Sequence, residues 1–206
     1  LAEEGVGYDG LARVLAERAV ACVAHGRELL DGRALAVLGA EVEGALRVVR
    51  DGRAFDVAFR ADLVERAGGG LRITDFKTGA SFARGTPKTQ AKRFAEHVAR
   101  GTKLQAVAYA LAAGEPGAVG RYLHLAPDAA EDAAPIVDFA RDAADAEARV
   151  ADFERAVATL AQAWEDGVFA PRLSQPALDV DEPNRACRTC TVSDACVRGD
   201  AGLRQR

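Results

Sequence analysis

Residues 53–77, RAFDVAFRADLVERAGGGLRITDFK, decide the fold of this chain. Apolar side chains recur at every second position from Phe55 to Leu63, which is the period of a β-strand with one buried face. Three consecutive glycines then allow a tight turn, and the alternation resumes after them. We therefore predict a β-hairpin whose second strand ends in Asp75-Phe76-Lys77.

Helices and strands are predicted on both sides of this hairpin. An Asp51-Gly52 turn, typical of two-residue hairpin loops, joins it to an earlier strand. A strand meander followed by helix, strand and helix predicts an α/β fold with a mixed β-sheet core flanked by helices. The apolar spacing outside the hairpin predicts a helix over 9–30, a strand over 35–49, a helix over 103–113, a strand over 119–125 and a helix over 146–164.

Three segments lack such periodicity. Residues 78–102 are polar and basic. Residues 126–145 are rich in alanine and aspartate, and we interpret them as a surface insertion. From Phe169 onward the chain is loop-like, and it carries three cysteines near its end. We therefore expect a catalytic core over 35–125 within a single domain over 1–206, followed by a cysteine-containing tail over 169–206.

Composition bounds the class of protein. The 206 residues are 49% hydrophobic and 28% charged, which is ordinary for a globular domain with a real core. A net charge of −4 excludes a protein that is basic throughout. No apolar run approaches the roughly 20 residues of a membrane span and no signal peptide is visible, so we expect a cytoplasmic location and no membrane partner. Because the chain begins at Leu1 and contains no methionine, we expect it to be an excerpt of a longer polypeptide.

Two carboxylates are predicted to meet at the end of the hairpin. If the turn is centred between Gly68 and Gly69, Asp62 lies directly across from Asp75 and both side chains point the same way. Such carboxylates repel each other unless a cation lies between them. Mg²⁺ suits one or two carboxylates, because it fills its remaining positions with water and phosphate oxygens. Lys77, on the same face as Asp75, is placed to orient a water or to neutralise developing charge.

These residues predict a metal-dependent phosphodiesterase, since a divalent ion polarises a phosphodiester and lowers the pKa of a water. The competing interpretation is that Asp62 is a surface residue and that Asp75 and Lys77 form a surface ion pair. The spacing of the three residues leaves both interpretations open.

Cys187, Cys190 and Cys196 have the spacing of metal ligands. Thiolates at this spacing can hold zinc with one further ligand, or three corners of an iron–sulfur cluster. The fourth cysteine, Cys22, lies in an apolar part of a predicted helix, and we interpret it as a small buried apolar residue.

Three motifs in order resemble the PD-(D/E)xK nucleases, and specifically their RecB/AddB-type branch. The first is Phe59-Arg60-Ala61-Asp62, and the second is Asp75-Phe76-Lys77-Thr78-Gly79. The third is the start of a helix, Leu104-Gln105-Ala106-Val107-Ala108-Tyr109, in which Gln105 and Tyr109 share one face. The resemblance implies a restriction-endonuclease-like fold and a DNA nuclease that uses Mg²⁺ or Mn²⁺, and it favours an exonuclease over an endonuclease.

The same resemblance implies a role for each site residue. Asp62 and Asp75 bind the metal with the carbonyl of Phe76, Lys77 activates or steadies the attacking water, and Gln105 and Tyr109 position the DNA strand. Members of the branch that carry this cysteine tail hold a [4Fe–4S] cluster, with a fourth cysteine far upstream. The branch also carries a histidine before its first strand. His25 is close to the predicted sheet, so we expect both the histidine and the fourth cluster ligand before Leu1.

A basic stretch follows the predicted strand that ends in Asp75-Phe76-Lys77. Lys88, Lys92 and Arg93 cluster at helical spacing. A solvated helix face is the usual explanation of such a run, but its place in the chain also suits contact with DNA phosphates.

The resemblance implies the nuclease module of a helicase–nuclease that acts in double-strand-break repair. No lysine here follows a glycine, so a nucleotide-binding phosphate loop must come from a helicase domain or subunit elsewhere. Two alternatives remain: a DNA-end-binding module with a decayed nuclease centre, and a nuclease of CRISPR adaptation.

Overall fold

A five-stranded mixed sheet organises the part of the chain that the structure describes. The structure is a computed structural model, and it describes residues 9–30, 36–67 and 69–168. Within these ranges the elements are, in chain order, α1 (Asp9–Leu30), β1 (Ala36–Arg50), β2 (Arg53–Ala67), β3 (Gly70–Lys77), α2 (Pro87–Ala99), α3 (Gln105–Ala113), β4 (Val119–His124), β5 (Ile136–Ala140) and α4 (Ala146–Glu165).

The chain divides into two compact units, Leu1–Leu160 and Ala161–Arg206. The sheet belongs to the first unit, and residues 161–168 are the described part of the second. None of the described helices is long and apolar enough to cross a membrane.

The strands follow one another across the sheet in the order β1-β2-β3-β4-β5. Neighbouring strands are antiparallel except β3 and β4, which run parallel. The predicted α/β fold, a mixed sheet flanked by helices, is therefore confirmed, whereas the cysteine-rich loop predicted after it lies outside the described residues.

The turn between β1 and β2 has a backbone that suits it, and the register of β2 and β3 agrees with the second predicted turn. Asp51 and Gly52 have φ values of 52° and 74° at the β1–β2 turn. Positive φ at both positions is the signature of the tight hairpin turn that matches the twist of its strands. The β2–β3 pair has Leu63 opposite Thr74, which is the register that a turn centred between Gly68 and Gly69 requires. The predicted register of the hairpin is confirmed.

The parallel pairing of β3 and β4 needs a crossover, and α3 packs against both strands. The backbone of α3 comes very close to β4 at Gly120. A Cβ built on Gly120 would lie 1.8 Å from the carbonyl oxygen of Ala106, so only glycine fits here. This close approach sets α3, and the side chains at its start, directly against the end of β3.

The core lies on the face of the sheet that the helices cover. Residues Ala106–Ala110 of α3 are all buried there. All of them except Tyr109 pack in a cluster with Phe94 and Val98 of α2, Tyr122 of β4 and Phe153 of α4. Tyr109 packs instead with Ala61 and Ile73 in a second, smaller cluster. Burial of these apolar surfaces is the main source of stability of the unit.

An ion pair is enclosed between β2 and β3. Glu65 has no exposed surface, and its Oε1 accepts a 2.9 Å hydrogen bond from Nη1 of Arg72, which is directly opposite in the register. An unpaired charge at this depth would be strongly unfavourable, so each residue requires the other. The alternation of the strands sends these two side chains to the opposite face from Asp75.

Two elements differ from the sequence interpretation. The segment 126–145 is not a surface insertion, because β5 pairs with β4 and buries Val137 and Phe139 in the core. The polar segment 78–102 contains α2, which begins after Thr86 with Pro87 in its first turn. Thr86 caps the helix by accepting a hydrogen bond from the amide of Thr89.

Candidate active site

The two predicted carboxylates meet where β2 and β3 end their pairing. Continuing the register by one step sets Asp62 opposite Asp75. The amide of Phe76 donates a 2.5 Å hydrogen bond to Oδ2 of Asp62, so this carboxylate is held against the backbone next to Asp75. The hairpin thus brings together two carboxylates that lie 13 residues apart in the chain.

Asp75, Lys77 and Gln105 form a closed triangle of polar contacts. Nζ of Lys77 lies 2.5 Å from Oδ2 of Asp75 and donates a 3.0 Å hydrogen bond to Oε1 of Gln105. The amide nitrogen of Gln105 donates a 2.8 Å hydrogen bond to Oδ1 of Asp75. Gln105 is the first residue of α3, so the close packing of that helix positions its side chain.

Tyr109 is fully buried and lies one turn after Gln105 in α3. Its hydroxyl donates a 2.9 Å hydrogen bond to the carbonyl of Arg60, and its ring lies 5.1 Å from that of Phe59. Burial raises the pKa of the Tyr109 hydroxyl, and the nearby charges of Asp75 and Asp62 raise it further. Tyr109 therefore stays protonated and ties α3 to β2 just before Asp62.

The end of β4 supplies two site neighbours that the sequence interpretation missed. His124 is opposite Lys77 in the parallel register, and the amide of Leu125 donates a hydrogen bond to the carbonyl of Lys77. Tyr122 presents its ring 5.6 Å from Nζ of Lys77. His124 and Tyr122 could be predicted as neighbours of Lys77 only if the pairing of β3 with β4 were known, since nothing in the local sequence marks them.

His124 is buried, with Nδ1 3.2 Å from the carbonyl oxygen of Gly79. Its Nε2 has no hydrogen-bond partner in the described part of the chain. Burial lowers the pKa of His124. The hydrogen bond to Gly79 opposes this shift, whereas the charges of Lys103 and Lys77 add to it. The lowered pKa of His124 favours the neutral form of its ring.

Three of the basic residues of the 78–102 segment lie on α2, and none of the three takes part in the triangle of contacts. Lys88, Lys92 and Arg93 are all exposed, while Phe94 and Val98 form the buried face of the same helix. Nζ of Lys92 is 4.0 Å from the carboxylate of Glu96. The structure gives these residues an open cationic surface but no contact with the carboxylate site.

The donor set suits a divalent cation. Oδ2 of Asp75 is buried and accepts no well-aligned hydrogen bond from the residues that the structure describes, although Nζ of Lys77 is close to it. A buried carboxylate oxygen with a free lone pair is what a hard cation requires. The described residues contain no cluster of three or more His, Cys, Asp or Glu side chains that could hold a metal. Two carboxylates and a carbonyl such as that of Phe76 are nevertheless enough for Mg²⁺, which retains several waters.

The cysteine prediction is tested in part. Cys187, Cys190 and Cys196 lie outside the described residues. Cys22, which does lie within them, is buried at 5% exposure in α1. Its interpretation as a small buried residue is confirmed.

The end of α1 lies close to the site. A Cβ on Gly26 would be 2.7 Å from a side-chain carbon of Leu125, the residue whose amide binds the Lys77 carbonyl. His25 is next to Gly26 and partly buried, with Nδ1 3.8 Å from the carboxylate of Glu28. The neighbourhood of His25 is therefore the same end of the sheet that carries Lys77.

Comparison with known proteins assigns the family. No curated protein matches this chain. Among solved structures, one titled "Crystal structure of SSO0001" is 17% identical, with a TM-score of 0.45 over 90% of this chain and 70% of that chain. The family model for the PD-(D/E)XK nuclease superfamily matches residues 3–197. Because this match spans nearly the whole sequence, the chain belongs to the PD-(D/E)XK nuclease superfamily, whose members are generally nucleases that use divalent metal ions.

Proposed function

We propose that this protein is a metal-dependent DNA nuclease of the RecB/AddB type, which hydrolyses phosphodiester bonds with Mg²⁺ or Mn²⁺. The observation that carries the proposal is the triangle of Asp75, Lys77 and Gln105 beside Asp62. A decayed nuclease centre, as in a DNA-end-binding module, would have no need to keep a half-buried lysine and a buried carboxylate aligned by a third side chain.

Asp62, Asp75 and the carbonyl of Phe76 would hold the ion. When bound, it supplies a positive charge that polarises the phosphodiester and lowers the pKa of a nearby water. Lys77 has the role of orienting that water or of neutralising the negative charge that develops on the phosphate. Its amine is fixed between Asp75 and Gln105, which supports a role at one defined point rather than a general attraction for DNA.

Gln105 and Tyr109 would act as positioning residues. Gln105 holds Asp75 and Lys77 at a fixed separation, and Tyr109 fastens the strand that carries Asp62 to the same helix. We further propose that Lys88, Lys92 and Arg93 contact DNA phosphates, a role supported by their exposure on one helix that follows the motif strand. Such contacts would be independent of base sequence.

The biological role that fits best is the nuclease module of a helicase–nuclease in double-strand-break repair and recombination, acting as an exonuclease in the cytoplasm. The resemblance of the Asp75-Phe76-Lys77-Thr78-Gly79 and Leu104-Gln105 motifs to the RecB/AddB branch supports this role. A helicase domain or partner subunit would then supply the ATP-driven unwinding.

His25 is our candidate, among the described residues, for the histidine that this branch carries before its first strand. The packing of Gly26 against Leu125 supports the assignment, because it sets α1 beside the end of β3. The expectation that the histidine lies before Leu1 stays a prediction, and substitution of His25 tests the alternative.

The proposed activity is tested with linear single- and double-stranded DNA labelled at one end. The protein is expected to release short products when Mg²⁺ or Mn²⁺ is present and none in the presence of a chelator, with activity restored by excess metal. Gradual shortening from the ends would identify an exonuclease. Tight binding of DNA ends without cleavage under any metal condition would instead identify a DNA-end-binding module.

We also propose that Cys187, Cys190 and Cys196 hold a [4Fe–4S] cluster with a fourth ligand from elsewhere in the polypeptide. The x2 and x5 spacing of the three cysteines supports it. Protein purified without oxygen should be brown, absorb near 400 nm in the visible range, and contain iron and acid-labile sulfide in equal amounts. A colourless protein with stoichiometric zinc would contradict the cluster and identify the zinc site that the same spacing allows.

A further inference from the structure

Lys103 stands in an unusual backbone conformation between α2 and α3. Its φ of 55° lies in the left-handed region, which side chains other than glycine and asparagine seldom adopt. Gly101, two residues earlier, also has a positive φ, of 71°. Because this conformation is unfavourable for lysine, it indicates that the position of the Lys103 side chain has a function.

The residue before Lys103 is held by several hydrogen bonds. The amide and the hydroxyl of Thr102 both donate to the carbonyl of His97, at 2.8 and 2.9 Å. The same hydroxyl also lies 3.0 Å from Nδ1 of the His97 ring. These contacts fasten the connection to the last turn of α2. Lys103 is therefore presented by a fixed loop, two residues before Gln105.

The ammonium of Lys103 is half-buried yet lacks a counter-charge in direct contact. Its Nζ lies 5.3 Å from the centre of the Phe82 ring. Within the part of the chain that the structure describes, it forms no ion pair with a carboxylate. An ammonium in this setting gains some stabilisation from the aromatic face but keeps its hydrogen-bond donors free.

Two residues of the candidate site are electrostatic neighbours of the Lys103 ammonium. Burial lowers the pKa of Lys103, the charge of Lys77 lowers it further, and that of Asp75 opposes the shift. Phe82 also contacts His124, at 5.8 Å between ring centres, and His124 neighbours Lys77 across the parallel pairing. Two ammonium groups thus converge on one end of the sheet, and only Lys77 has a carboxylate partner.

We propose that Lys103 is a second phosphate-binding cation of this site, which contacts a backbone phosphate of the DNA strand that is being cut. This inference rests on the proposed nuclease function and extends it by one substrate contact. A phosphate oxygen would supply the anionic partner that Lys103 lacks among the described residues. The loop conformation and the Phe82 ring would hold the ammonium in place before the DNA arrives.

The alternative is that Lys103 is purely structural and that its contact with Phe82 stabilises the loop. The two roles predict different results for a substitution that removes the ammonium but still allows a positive φ at position 103. Asparagine tolerates positive φ, so Lys103→Asn removes the charge without straining the loop. Lys103→Arg keeps the charge in the same conformation. Arg13→Gln, on an exposed part of α1, removes a distant positive charge and serves as the matched control.

The experiment measures binding of a fluorescent single-stranded oligonucleotide by the full chain without activating metal, across a range of salt concentrations, together with the melting temperature. Lys103→Asn is expected to weaken binding about tenfold, as for a charge-assisted contact. The slope of log Kd against log salt should fall by about 0.7, the value for one lost phosphate contact on a single strand. Lys103→Arg should largely restore both quantities, and the melting temperature of Lys103→Asn should be equal to or above that of the wild type.

Other outcomes overturn the inference. If Lys103→Asn has the wild-type salt slope, or behaves as Arg13→Gln does, Lys103 contacts no phosphate. If it lowers the melting temperature without changing binding, the role is structural. Both results would leave the nuclease function intact, provided that the wild type still cleaves DNA with metal. A wild-type protein that neither binds nor cleaves DNA would instead refute the proposed function itself.

Discussion

Replacing Lys77 by alanine is expected to lower metal-dependent cleavage of DNA by about a thousandfold, because a charge that acts directly at the reacting phosphate is removed. In the structure the Lys77 amine is fixed by Asp75 at 2.5 Å and by Gln105 at 3.0 Å. A water that entered the space would lack the charge of this amine, and a solvent cation would lack its fixed position. The loss should appear in kcat, with KM for DNA little changed, since the reacting phosphate carries only one of the many charges that bind the strand.

The measurement is a steady-state assay on end-labelled DNA, with binding and melting temperature recorded on the same preparation. Arg13→Ala is the control, because it removes a positive charge on the exposed surface of α1. Lys77→Ala should bind DNA nearly as well as the control and melt within a few degrees of it. If it cleaves DNA at the wild-type rate, Lys77 has no role in the chemistry and the proposed mechanism is wrong.

Gly120→Ala is expected to destabilise the protein by about 3 kcal/mol or more and to abolish its activity, because the new methyl group has no room. A Cβ at this position would lie 1.8 Å from the carbonyl oxygen of Ala106 and 2.6 Å from its carbonyl carbon. Both are backbone atoms of α3, so no side-chain rotation relieves the overlap. The helix would have to move away from β4, and Gln105, at its first turn, would lose contact with Asp75 and Lys77.

Urea denaturation followed by circular dichroism measures the change in the free energy of unfolding, and the nuclease assay measures the effect on activity. Gly10→Ala is the matched control, since a Cβ on Gly10 meets no atom within 4 Å. Alanine within a helix should make that variant as stable as the wild type or more stable, by up to about 1 kcal/mol. Equal stabilities of Gly120→Ala and Gly10→Ala would show that α3 does not pack as closely on β4 as described.

The hairpin was predictable in detail because its signals are local. Period-two spacing marked β2, the glycine run marked the turn, and the two together fixed Asp62 opposite Asp75. The turn at Asp51-Gly52 needed no more than its own two residues. The carboxylates and the lysine were therefore visible from the sequence before any tertiary contact was known.

The rest of the sheet depends on contacts between distant residues. β5 presents just two inward side chains, Val137 and Phe139, within a segment rich in alanine and aspartate, so its period is too short to detect. Its partner β4 supplies the missing information. For the same reason His124 went unnoticed as a neighbour of Lys77, because the parallel pairing joins residues 47 positions apart.

The helix α2 was indicated only by the helical spacing of three basic residues, and its bounds were not predicted, for a different reason. Apart from Phe94 and Val98, its side chains are mainly polar or small, and the apolar stripe is too narrow to stand out. A start signal was present, since Thr86 caps the helix and Pro87 occupies its first turn. Capping residues deserve as much weight as periodicity in a segment that is polar throughout.

The triangle of Asp75, Lys77 and Gln105 has a consequence for how DNA is received. A free lysine side chain loses up to about 2 kcal/mol of rotamer freedom when it is ordered. Here that entropy is lost when the chain folds, because Asp75 and Gln105 already hold the Lys77 amine. The site is thus preorganised: binding a substrate need not freeze its central cation, and more of the interaction energy remains available to favour the transition state.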